Sequence, residues 1–182
     1  MLATQASYIA GFFDGDGSVH FQFVRQHQYK FGFYIRASAS FSQTTSARSG
    51  LEQIQEWVGG GYLRDRGTGM SDLVVTSRPL LLVLFEEIRP FVVFKKRHVQ
   101  EALRILPLIE PREEPEEFLR VVRIADAFSA LNYSKSKRIT AVDVERHLRS
   151  KGMLAPVTTS LLAQQGDGEC HNTPAPGNRV KV

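Results

Sequence analysis

Ile9-Ala10-Gly11-Phe12-Phe13-Asp14-Gly15-Asp16-Gly17 is the stretch on which the reading of this chain turns. Ser7, Gly11 and Gly15 recur every fourth residue, so a helix here carries one stripe of small side chains. Such a stripe admits a second backbone at close range, from the same chain or from a copy of it. Gly15 and Gly17 free the backbone for a tight exit, which leaves Asp14 and Asp16 at the foot of the helix. The pair Asp14 and Asp16 also starts like a calcium loop. Val19 stands where that loop needs glycine, however, and Arg25 where it needs a bidentate glutamate, so that chemistry is excluded. Taken alone, the two carboxylates are either caps of a helix end and turn or ligands.

The helix is expected over residues 4–13. After it, residues 18–26 alternate, with Val19, Phe21 and Phe23 on one face and Ser18, His20, Gln22 and Gln26 on the other. Residues 33–43 repeat the pattern, with Phe33, Ile35, Ala37, Ala39 and Phe41 inward and Tyr34, Arg36, Ser38, Ser40 and Ser42 outward. Both read as half-buried strands joined by a hairpin over 27–32 that carries Tyr29 and Lys30. Leu51, Ile54, Trp57 and Val58 predict a helix over 46–58, ended by Gly59-Gly60-Gly61. Two short strands follow at 62–66 and 72–76 around a Gly-Thr-Gly turn, then helices at 78–88, 95–106, 115–131 and 141–150. This order predicts an α+β fold with one four-stranded antiparallel sheet, helices on one of its faces and the other face open. Residues 1–151 form the domain, and the glycine- and proline-bearing residues 152–182 read as a disordered tail with little to bury.

A hydrophobic share of 42% in 182 residues supports a globular core. No run approaches the roughly 18 apolar residues of a membrane span, so no membrane partner is expected. The start lacks the basic and apolar regions of a signal peptide. A single cysteine, Cys170, rules out an intrachain disulfide and a cysteine-rich metal site, which favours a reducing, intracellular setting. The net charge of +4 favours a polyanion, and its distribution says more. Positions 17–51 hold no acidic residue, yet include Arg25, Lys30, Arg36 and Arg48. Ordinary surfaces mix both signs, so this stretch reads as an electrostatic footprint.

Double-stranded DNA fits that footprint. His20, Gln22, Gln26, Tyr29, Lys30, Tyr34, Arg36, Ser38, Ser40, Arg64 and Arg66 are of the types that contact bases and phosphates, and a strand pair is the right size for a major groove. Asp72 breaks the pattern and is expected to orient a neighbouring arginine. Ser134-Lys135-Ser136-Lys137-Arg138 forms a basic loop, read as a solvated helix end or as a grip on the DNA backbone through Ser134, Lys135 and Lys137.

The opening stretch resembles, position by position, the LAGLIDADG motif of homing endonucleases, and the likeness extends over about residues 7–140. One copy of the motif resembles the homodimeric, intron-encoded branch. The resemblance implies an αββαββα fold with a saddle-shaped sheet along the major groove, and a dimer interface at Ser7, Gly11 and Gly15. It also implies Mg²⁺ at Asp16 and the Gly15 carbonyl, with Mn²⁺ as a substitute, and Asp14 in a structural role. A C2 dimer would bring two Asp16 residues together and read a long pseudo-palindromic target, cutting both strands with 3′ overhangs to propagate the encoding intron. Gln43 and Lys95 match polar residues that organise the family's catalytic water. Tyr62-Leu63-Arg64-Asp65-Arg66-Gly67 resembles the family's third strand. One departure stands out: relatives carry a basic residue four positions after the glutamine, where this chain has Ala47 followed by Arg48. The second reading of the same fold is an RNA-splicing maturase acting on intron RNA, or a DNA-binding protein without cleavage. The expected compartment is a chloroplast, a mitochondrion or a prokaryotic cytoplasm.

Overall fold

The computed structural model describes residues 1–132 and 139–155. Helix α1, Ala3–Asp16, buries Ala6, Ile9, Ala10 and Phe13, one apolar face at helical spacing. Phe13 is fully buried and meets Phe41 of the sheet and Phe85 of a later helix, with ring centres 5.8 and 6.0 Å away. The first helix therefore lies at the centre of the core.

Strands β1 (Gly17–Arg25) and β2 (Phe33–Thr44) pair antiparallel from Gly17–Phe41 to Arg25–Phe33. A short 3₁₀ turn, Thr45–Ala47, leads into α2, Arg48–Val58. That helix ends at Gly59, whose φ of 80° is left-handed and suits glycine. Strands β3 (Tyr62–Arg66) and β4 (Met70–Val75) complete one sheet in the order β1-β2-β4-β3. Helices α3 (Arg78–Ile88), α4 (Lys96–Ile105), α5 (Pro115–Ala127) and α6 (Ala141–Ser150) follow. The final turn expected of the helix at 115–131 is instead a 3₁₀ segment, Phe128–Leu131.

Core-facing positions of the strands (Val19, Phe23, Phe33, Ile35, Ala37, Ala39, Phe41, Leu73, Val75) join buried residues of all six helices in one cluster. The alternate strand positions form the opposite face. Register places Ser18, His20 and Gln22 opposite Ser40, Ser38 and Arg36, and Asp72 between Ser42 and Arg64.

Two details depart from expectation. The first helix does not stop before the aspartates but runs through Asp16, so Gly15 is a helical residue. Gly17 follows with an extended φ of −89°. Its need for glycine is spatial: a Cβ there would lie 2.2 Å from Phe13 Cδ2 and 2.6 Å from the Phe13 carbonyl oxygen. The second departure is at the tail boundary. Gly152 and Met153 still donate backbone hydrogen bonds to the end of α6, and Leu154 packs against the core. Beyond residue 155 the chain lies outside the described residues, as do Ser134, Lys135 and Lys137. Among the described residues no helix is long and apolar enough to cross a membrane.

Candidate functional site

The C-terminal end of α1 is where the sequence motif becomes geometry. Ser7, Gly11 and Gly15 are all exposed, and a Cβ added at Gly11 or Gly15 would meet nothing within 4 Å. The small-residue stripe therefore does not pack within its own chain, which removes the ordinary explanation for it. The same helix buries its opposite side completely.

The two aspartates separate into different roles. The Asp14 carboxylate accepts hydrogen bonds from the backbone N–H groups of Val93 (2.7 Å) and Lys95 (2.8 Å), so it fastens the turn before α4 to the end of α1. Asp16 is exposed, and its carboxylate makes no hydrogen bond among the described residues. Lys95 completes the arrangement. Its ammonium donates to the carbonyls of Phe13 (2.9 Å), Asp14 (2.9 Å) and Gly15 (3.2 Å), the unsatisfied acceptors that any helix leaves at its C-terminus. Burial pushes the Lys95 pKa down, against the pull of Asp14 and Asp16. Lys95 is thus a helix cap as well as a cation beside the free carboxylate. The Gly15 carbonyl, expected to face a metal, is already within reach of that ammonium.

Gln43 stands two residues beyond Phe41, the partner of Gly17, and so at the Asp16 end of β2. Its side-chain carbonyl accepts from Thr44 N at 2.8 Å, while its amide nitrogen makes no hydrogen bond among the described residues. Arg48 does not stand in for a basic residue at 47. Its guanidinium is held by Asp65 (2.5 Å) and Glu52 (3.2 Å), and Asp65 also accepts from buried Ser71 at 2.7 Å. That clamp was invisible in the sequence, because charges at 48 and 65 meet only once β3 is laid beside α2.

The open sheet face brings together most of the predicted DNA contacts. Arg36 donates to the Gln22 side-chain carbonyl at 2.7 and 3.2 Å. Ser18 and Ser40 share a 2.8 Å hydrogen bond, and His20 Nε2 lies 3.2 Å from the Ser18 hydroxyl. Burial pushes the His20 imidazole below its ordinary pKa, toward the neutral form. Tyr29 and Tyr34 stack with ring centres 5.0 Å apart. Gln26 lies just past β1 and donates weakly to Gln28 at 3.4 Å. Lys30 points to Glu113 instead of into open solvent, with 2.7 Å bonds to both the carboxylate and the backbone carbonyl. Ser38 lies on the same face opposite His20.

Asp72 is the centre of this face. It is fully buried, yet its carboxylate accepts from Arg64 (2.6 Å), from Arg66 (2.7 and 2.5 Å) and from the Ser42 hydroxyl (2.7 Å). Burial alone pushes its carboxyl up, but the hydrogen bonds from Arg66, Arg64 and Ser42 outweigh it and bring the pKa down to about 2. Both arginines remain about half exposed above it. The expected exception in the basic pattern thus orients two arginines, not one.

These features define an α+β protein with an open, polar sheet face and a free carboxylate at its edge, on a helix whose exposed side is all small residues. The chain belongs to the LAGLIDADG endonuclease family, whose model matches residues 9–99. It is 33% identical over 144 residues to the DNA endonuclease I-CreI of Chlamydomonas reinhardtii, a match covering 79% of this chain and 88% of that one. It is 27% identical over 146 residues to the DNA endonuclease I-CvuI of Chlorella vulgaris, covering 80% of this chain and 91% of the relative. A crystal structure of I-CvuI in complex with its target in the presence of calcium superimposes with a TM-score of 0.79 at 26% identity, over 84% of this chain and 98% of that one.

Metal fit follows from the donor set. Exposed carboxylate and carbonyl oxygens suit Mg²⁺, which usually keeps several waters and takes only one or two protein carboxylates beside phosphate oxygens. Among the described residues no cluster of three or more His, Cys, Asp or Glu forms a cage of its own. Asp16 fits the first pattern, not the second.

Proposed function

We propose that the chain is a homing endonuclease that acts as a homodimer on a long, pseudo-palindromic DNA duplex, making a double-strand break with 3′ overhangs that drives intron mobility. The observation that carries this reading is the exposed small-residue stripe of α1 ending in an unbonded Asp16. A second α1 laid against the stripe brings two such carboxylates to a common axis, supplying the pair that one chain lacks. Family membership and the DNA-bound relative support the same reading.

Asp16 and the Gly15 carbonyl would hold Mg²⁺, with Mn²⁺ able to replace it; the cation would supply Lewis-acid activation at the scissile phosphate. For the carbonyl to serve, the Lys95 ammonium must relax from its 3.2 Å contact with Gly15, while its bonds to Phe13 and Asp14 keep the helix end in place. Lys95 then lies beside the charge that develops on the phosphate. The Gln43 amide nitrogen is available to position water. The outer face of β1–β4 holds the duplex, with arginine and glutamine at base edges and Tyr29 and Lys30 at its end.

The test is selection of cleaved sites from a randomised duplex library with Mg²⁺, wild type beside Asp16→Asn. Near-palindromic cut sites from wild type alone, with DNA binding kept by the variant, are expected. Binding without cutting by both proteins would refute the nuclease reading and point to Ala47 as the lost element.

A further inference from the structure

The tip of the β1–β2 hairpin is fastened to the helix layer by two contacts of different kinds. Phe31 is buried and stacks on Phe118 of α5, ring centres 5.0 Å apart. Beside it Lys30 donates to the backbone carbonyl and the carboxylate of Glu113. Glu113 lies in a strongly acidic run, Glu110-Pro111-Arg112-Glu113-Glu114-Pro115-Glu116-Glu117, where Arg112 is the sole cation. All five glutamates of this run are exposed. The run and the hairpin tip do not close flush, since a cavity of about 490 Å³ separates them, floored by Phe31, Phe33, Ile35, Phe118 and Val121. The polar strap is therefore a discrete contact across a gap, not one detail of a packed interface.

We propose that Glu113 is an intramolecular stand-in for a DNA phosphate, holding Lys30 until duplex DNA displaces it. This rests on the reading of the sheet as the DNA face. A carboxylate presents the same paired-oxygen acceptor to an ammonium as a phosphate does. The Lys30 and Glu113 side chains are 56% and 86% exposed, so the strap is weak enough to exchange against a polyanion. Exchange leaves the glutamate run facing the incoming backbone, which lowers affinity on every sequence alike, because the contact is with phosphate and not with a base. The hairpin tip keeps its Phe31 anchor while Lys30 changes partner, so the exchange needs no refolding.

The test is binding to a 30-base-pair random duplex in EDTA, without cleavage, over a series of salt concentrations. Glu113→Gln keeps the shape and removes the charge. It should tighten binding about two- to fivefold at low salt, and steepen the logarithmic salt dependence by up to about 0.9 per protomer, the yield of one more neutralised phosphate. Lys30→Gln should weaken wild type only slightly and cancel the whole gain in the Glu113→Gln background. Wild type that binds no duplex refutes the DNA face itself. Wild type that binds, with Glu113→Gln matching it in affinity and salt slope, overturns the stand-in alone. A gain that survives Lys30→Gln also overturns it, since the effect would then be general charge and not the strap.

Discussion

Asp72→Asn removes one negative charge and keeps the side chain's shape, which isolates what that charge does beneath the sheet face. The ordinary carboxyl pKa of 3.8 falls to about 2 in the folded chain. A shift of that size corresponds to about 2.5 kcal/mol of stability. The guanidinium groups of Arg64 and Arg66 are about half exposed and regain water when the anion is lost, so the expected cost is about 1–2.5 kcal/mol. In a domain of this size that lowers Tm by roughly 3–8 °C. The sign with pH is fixed by the depressed pKa. The carboxylate's contribution is present in full above its unfolded pKa of about 4 and is lost as pH falls through the folded value of about 2. Thermal unfolding followed by circular dichroism from pH 8 down to pH 2.5 reads this directly. The gap between wild type and Asp72→Asn should be constant above about pH 5 and narrow below pH 4. Equal Tm values at pH 7, or a gap that persists unchanged in acid, would refute the electrostatic account and leave only packing. A further consequence is on DNA: two arginines without their shared anion should bind random duplex more tightly while discriminating less between sequences.

Glycine positions on and after α1 give opposing expectations. Gly11→Leu meets nothing within its own chain, so the monomer should fold normally and light scattering should show the dimer lost. A dimer that survives Gly11→Leu would move the interface elsewhere. Gly17→Ala forces a Cβ against Phe13 and should destabilise the fold by about 2–3 kcal/mol in a denaturant titration, with no specific effect on dimerisation. Lys95→Met removes the donor to three carbonyls at the end of α1. It should cost about 1–2 kcal/mol of stability and suppress cleavage with duplex binding retained; full activity would confine Lys95 to capping.

Legibility in the sequence followed the range of the physics. Two-residue alternation located β1 and β2 almost to the residue, because half-buried strands repeat the same choice along their length. Helical spacing found α3 and α6 to the residue for a similar reason. The end of α1 was misread, since glycine was taken as a sign of left-handed backbone when Gly17 in fact answers to the ring of Phe13 four residues earlier. Which face of α1 was buried decided the meaning of the small stripe, and that depended on Phe41 and Phe85 arriving from elsewhere in the chain.

Charge contacts were the least legible part of the site. Lys30 with Glu113, Lys95 with the carbonyls of Phe13, Asp14 and Gly15, and Arg48 with Asp65 each join segments brought together only by the tertiary fold. Asp72 was legible as an exception because the register of a four-stranded sheet is short-range, and an acid between two arginines of the neighbouring strand has few other partners. The same reasoning explains why the face remains basic despite its buried acid. One carboxylate bonds two guanidinium groups from below, fixing their direction, and each guanidinium keeps donors turned outward because its fork has five. An acid placed above the sheet would cancel that field. Placed beneath it, Asp72 aims the field outward, and the loss of its charge should therefore change selectivity more than it changes the total attraction for DNA.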